Sequence, residues 1–238
     1  MFSRSARGRL TDKDLGRFPD DTLFHAVARA VCHAGCLPRK ELYEAWEMAR
    51  RVRRRLRGGR VLDLGAGHGL LAQLLLLLDQ SSRDAVVVDP APPAPGQRVH
   101  SALVSAWPWL AGRVDFVTGR LEEAGISATD LVVSCHACGA LTDLVLQRAA
   151  AARSRVAVLP CCHDLGLGDT GQLGGWVDGS LAIDIQRATR LAQQGYRIWT
   201  HTLPAEITVK NRLLMGAPMP LGEALRRGAP AQDPGSGA

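Results

Sequence analysis

The chain has 238 residues, 46% of them hydrophobic, which is enough for one large domain with a sizeable core. It contains no run of 18 uncharged apolar residues, so a membrane span is excluded as an expectation, and no apolar stretch follows Met1–Arg7 that would mark an export signal. The net charge of +6 leaves phosphate-bearing partners open, and the six cysteines are expected to be reduced thiols of a cytoplasmic protein.

Taken in chain order, residues 1–18 are polar and read as a flexible N-terminus. Asp20 and Asp21 precede an apolar pattern at Leu23, Phe24, Val27, Ala28 and Val31, which predicts a capped helix. A second helix is predicted over 39–57, with Leu42, Trp46, Ala49 and Val52 on one face. These two helices form an N-terminal extension over 19–58, and Tyr43 and Trp46 could either reach a ligand or pack as core aromatics. Arginine dominates Arg50 to Arg60, as a phosphate-binding surface or as a solvated helix face.

From Arg60 onward strands and helices alternate. Strands are predicted at 60–65, 85–89, 113–118, 130–135, 155–160, 196–203 and 211–217. Helices are predicted at 68–79, 97–107, 139–152 and 179–194, with a short one near Leu121–Ala124. Serial β-α units imply a parallel sheet with right-handed crossovers, and the last two strands read as an antiparallel hairpin. The main domain is placed at 59–222. The segment 223–238, rich in Gly, Pro, Ala and Ser, reads as a disordered tail.

The most informative stretch joins the first of these strands to its helix: Asp63-Leu64-Gly65-Ala66-Gly67-His68-Gly69-Leu70. Glycines permit positive φ and let a ligand approach the helix N-terminus. Pyrophosphate would be repelled by Asp63, two residues before Gly65; a cationic amine would be attracted. The next strand ends in Asp89, about 20 residues past the glycines, where an acid accepts hydrogen bonds from ribose hydroxyls. Asp89 before Pro90 is alternatively a turn former.

Two further motifs sit at predicted strand ends: Ser134-Cys135-His136-Ala137-Cys138-Gly139 through Thr142-Asp143, and Pro160-Cys161-Cys162-His163-Asp164. Ligands of open α/β sheets bind outside the carboxyl ends of the strands. These residues have three readings: an acceptor pocket with a histidine as base, a zinc site, or small packed side chains. No residue is assigned to a metal. Cys32-His33-Ala34-Gly35-Cys36 reads as helix side chains rather than ligands.

The acid-x-Gly-x-Gly-x-Gly motif at Asp63, Gly65, Gly67 and Gly69 resembles the first motif of the class I S-adenosylmethionine (SAM) dependent methyltransferases. His136 to Asp143 together with Pro160 to His163 resembles a narrower methyltransferase-domain group. That group includes the Trm13-type tRNA 2′-O-methyltransferases and the glutathione S-transferase C-terminal-domain-containing proteins. The resemblance runs over roughly 39–217 and includes Lys40–Glu44 and Ile207–Asn211. It departs at Cys135, where the tRNA-modifying relatives carry lysine. The resemblance implies an α/β Rossmann-like sheet of seven strands, mostly parallel with a C-terminal antiparallel hairpin. It implies SAM as cofactor, held by Asp63, Leu64, Gly65, Ala66, Gly67 and Gly69, by Asp89 and Pro90, by Arg120 and Leu121 near the adenine, and by Ser134 and Cys135 on the methyl side. His136 and His163 are the expected catalytic residues. RNA is the expected acceptor, bound through Arg50–Arg60; the alternatives are a protein or small-molecule acceptor, or a non-catalytic SAM-binding protein.

Overall fold

The computed structural model describes residues 3–91, 94–135 and 137–220. Seven strands form one sheet: β1 (Val61–Leu64), β2 (Ala85–Asp89), β3 (Val114–Thr118), β4 (Leu131–Ser134), β5 (Arg155–Val158), β6 (Tyr196–Thr202) and β7 (Arg212–Pro218). Their order is β3-β2-β1-β4-β5-β7-β6. All neighbours are parallel except β7, which runs antiparallel to β5 and β6. The expected Rossmann-like sheet with a C-terminal antiparallel hairpin is therefore present. The order reverses between β1 and β4, and the cleft outside that point is where such sheets bind ligands.

Alternation within the strands sorts the core into two layers. Val61, Val87, Val133 and Met215 face the helices α1 (Leu23–Ala34), α2 (Arg39–Val52), α3 (Leu70–Leu78) and α4 (Ala94–Ala106). Leu62, Val88, Val132 and Val158 face the opposite layer, where α5 (Ala140–Ala151) supplies Val145 and Ala149 and α6 (Gly179–Gln193) supplies Leu191. α3 is apolar on nearly every side because it is buried between the sheet and its neighbours. Thr22 and Asp178 cap α1 and α6 by accepting the His25 and Leu181 amides. Among the described residues, no helix is long and apolar enough to cross a membrane.

Several expectations change. The N-terminal segment is not a loose lead: Leu10 and Phe18 are fully buried, Arg9 bridges to Pro38, and residues Asp12–Arg17 form a 3-10 helix. Apolar burial at these two positions outweighs the polar composition around them. α2 stops at Val52 instead of 57. Beyond it the chain must turn back into β1; Leu56 is buried at the turn, and Gly58 and Gly59 take positive φ. The expected tail at 223–238 lies outside the described residues. Tyr43 and Trp46 pack on Phe24, with ring centroids 5.2 and 5.1 Å away, as partly buried aromatics of the helical layer.

Candidate active site

β1 ends in the glycine turn. Gly65, Gly67 and Gly69 have φ of 64°, 55° and 63°, the left-handed region that glycine enters without penalty. Gly69 has a second constraint: a Cβ there would sit 2.9 Å from Val87. The turn is tied to β2 by Gly65 N–H donating to Val88 O (2.9 Å) and by Gly67 N–H donating to Asp89 Oδ2 (2.8 Å). The other Asp89 oxygen accepts the Ala91 amide at 2.8 Å. Asp89 thus shapes the turn, and its carboxylate oxygens keep further lone pairs for a ligand.

Asp63 lies on the sheet face that carries α3 and is 1% exposed. Its Oδ2 accepts the Ala72 amide at 3.3 Å, while its Oδ1 is buried without a hydrogen-bond partner. Burial raises its pKa to about 7; the Ala72 hydrogen bond opposes this and the Asp89 charge adds to it. A buried carboxyl with an unsatisfied oxygen beside an open glycine turn is the arrangement that a cationic amine would complete. The expected SAM ammonium has that chemistry, so these residues fit the cofactor.

The adjoining loops close around the turn. Ala137 of the β4 loop lies 3.7 Å from a Cβ built on Gly65. Ser134 Oγ accepts the Ala137 amide at 3.2 Å, and Cys135 is buried, with its thiol pKa pushed well up by burial. From the helical side, Glu41 Oε2 lies 2.9 Å from His68 Nδ1, which links α2 to the glycine turn. Register places the ends of β2, β1 and β4 side by side, with Leu64 opposite Val88 and Asp63 opposite Val133. The segments Asp63–Gly69, Asp89–Pro90 and Ser134–Cys135 are thereby brought together at the carboxyl edge of the sheet, with Asp63, Leu64, Ser134 and Cys135 buried beneath it.

Arg120 and Leu121 follow β3, whose Thr118 pairs with Asp89. The Leu121 side chain is buried among Leu62, Leu64 and Val88, while Arg120 extends into solvent beside Glu122. The Leu121 side chain thus fills core at this strand end.

The two expected catalytic histidines part company. His136 lies outside the described residues. The His163 side chain is 2% exposed, and its Nε2 is 2.7 Å from Asp184 Oδ1. It does not stand open to an acceptor, because it belongs to a charge network that sequence reasoning missed. Arg187, 3% exposed, reaches both Asp143 oxygens at 3.0 and 2.7 Å, Asp184 Oδ1 at 3.2 Å and Gly139 O at 3.0 Å. Arg212 Nε donates to Asp184 Oδ2 at 2.7 Å. The available signal was Arg187 on the buried stripe of α6 with Ile183 and Leu191, a place where a charge must find buried partners.

Asp184 and Arg212 form part of the wall of a cavity of about 560 Å³ beyond the ends of β5, β6 and β7, together with Pro160, Leu213 and Thr200. His201 and Thr202 line both this cavity and a groove of about 390 Å³ bordered by Arg50, Arg51, Arg54 and Arg55. Not all of the arginine segment is available: Arg53 is bound to Leu78 O, Arg57 to Arg53 O and Arg60 to Asp130.

A model described as a methyltransferase domain matches residues 39–165. No curated protein matches the chain. Solved structures of similar fold include an uncharacterized protein from Listeria monocytogenes serotype 4b, at 16% identity over 72% of this chain and 66% of that one, with a TM-score of 0.48. The B. subtilis M1A22 tRNA methyltransferase TrmK is similar at 14% identity over 72% and 65%, TM-score 0.49. A putative O-methyltransferase from Nostoc punctiforme is similar at 15% identity over 81% and 59%, TM-score 0.47. The chain thus spans 59% to 66% of the length of these structures, and the likeness extends no further than the fold. The family match covers more than half of the chain, including the glycine turn, Asp89 and both cysteine-histidine motifs; the chain belongs to the methyltransferase-domain family.

Proposed function

We propose that the chain transfers the methyl group of SAM to a nucleotide within an RNA. The observation that carries the acceptor class is that His201 and Thr202, on the edge strand β6, line both the arginine-bordered groove and the cavity. A backbone phosphate fits beside Arg54 and Arg55, and a nucleoside has room in about 560 Å³. The Trm13-type tRNA methyltransferase resemblance points to the same acceptor class.

Bound SAM supplies a methyl group on a sulfonium carbon already activated for displacement. The chain's own part is alignment, which can be worth roughly 7–11 kcal/mol. Asp63 pairs with the ammonium, Asp89 accepts from the ribose hydroxyls, and the turn at Gly65–Gly69 lets the ligand lie against backbone. On the acceptor side, Asp184 holds Arg212 in the cavity wall. His163 is a positioning residue that fixes Asp184 from behind.

Label from SAM should enter total RNA and be lost on ribonuclease treatment. With Arg54→Ala/Arg55→Ala, KM for RNA should rise about tenfold with kcat unchanged, and the salt dependence of binding should flatten. Label confined to metabolites or protein would overturn the acceptor assignment. The apolar part of the cavity wall, Leu181, Ile185 and Leu214, favours a small organic acceptor as the second reading.

A further inference from the structure

Cys138 and Cys162 are exposed and Cys161 is half-buried, although free cysteine is among the most buried residue types. These three are therefore not core filler. Their Sγ atoms all lie within 4.8 Å of one another, and those of Cys138 and Cys161 are 2.6 Å apart. The cysteines come from two loops, after β4 and after β5, which are cross-tied: Gly139 N–H donates to Cys162 O at 3.1 Å, and Arg187 holds Gly139 O. The two loops that carry the cluster are thus hydrogen-bonded to each other, and Arg187 anchors the Gly139 end.

We propose that Cys138, Cys161 and Cys162 bind a zinc ion, with the fourth coordination position open to solvent or to a further ligand. Tetrahedral Zn–S bonds of about 2.3 Å set sulfur–sulfur separations of about 3.8 Å, so the closest pair opens and the set contracts by small side-chain rotations. Three thiols release three protons as three Zn–S bonds form, with no change of oxidation state. The thiolates are soft ligands, which suits zinc and disfavours magnesium or calcium. Among the described residues no fourth histidine, cysteine or carboxylate joins the three within that separation, and exposure of two ligands leaves the remaining position accessible. The ion would pin the β4 and β5 loops to each other. It stands whether or not the acceptor is RNA.

The full chain, purified with reductant and without chelator, should carry about one zinc per chain by mass spectrometry of the metals. Exchange with Co²⁺ should give thiolate-to-cobalt charge-transfer absorption. Cys161→Ser should lower zinc affinity, measured by chelator competition, at least tenfold, while Cys36→Ser leaves it unchanged. Folded, reduced protein that takes up neither Zn²⁺ nor Co²⁺ at micromolar concentration would overturn the site. So would undiminished zinc in the Cys138→Ser/Cys161→Ser/Cys162→Ser variant, or a Cys138–Cys161 disulfide in the protein as isolated. If the triple variant does not fold, the cobalt spectrum of the natural chain still decides, because its intensity reports how many thiolates bind.

Discussion

Two buried charges decide most at the level of single residues. The Asp63 pKa moves from 3.8 to about 7. Between those values the folded chain holds a proton that the unfolded chain has released. Stability of the ligand-free protein should therefore fall as pH rises through that window, by at most about 1.4 kcal/mol per unit. Asp63→Asn should abolish that slope in denaturant titrations at pH 5 and pH 8. The same variant should bind SAM more weakly, because the ammonium needs the ionised carboxyl. In the natural protein SAM affinity should weaken as pH falls below about 7, up to tenfold per unit, with proton release on binding. Arg187 is the second case. Arg187→Met removes the cation between Asp143 and Asp184 and leaves both acids without it; a loss of about 3–5 kcal/mol is expected in chemical denaturation.

At the level of elements, the strand-turn-helix unit from β1 to α3 was fully legible, since its chemistry is local: a strand, glycines, then an apolar helix. Gly69→Ala should cost both stability and SAM affinity, because its φ of 63° and the 2.9 Å approach to Val87 each reject a side chain. Calorimetry and thermal melts on the same sample would show both losses. The ends of β4 and β5 were only half legible. Both cysteine-histidine motifs could be placed at strand ends, but the His163, Asp184, Arg187 and Arg212 network joins the β5 loop, α6 and β7. No spacing along the chain encodes that meeting; the arginine on the apolar stripe of α6 was its one local trace. The burial of the Leu121 side chain was not legible for a related reason: a residue after a strand can point into the core as readily as outward.

At the level of the whole molecule, the alternation of strands and helices was enough to read seven strands and a final hairpin, because buried parallel strands are apolar runs with helices between them. The same reasoning missed the docking of residues 9–18, where Leu10 and Phe18 contribute core from within a polar stretch. The resulting molecule sets the glycine turn, Asp89 and the β4 loop around the reversal of strand order, with the cavity walled by Asp184 and Arg212 and the arginine-bordered groove at the β6 edge of the sheet.

Calorimetric titration of SAM into the natural chain and into Asp89→Ala tests the central claim most directly. Micromolar affinity, about −8 kcal/mol, is expected for the natural chain. In Asp89→Ala it should weaken at least tenfold through loss of a hydrogen bond to a charged acceptor. Absence of binding in folded, ligand-free protein would contradict the methyltransferase assignment, and equal affinity in both proteins would remove Asp89 from the cofactor site.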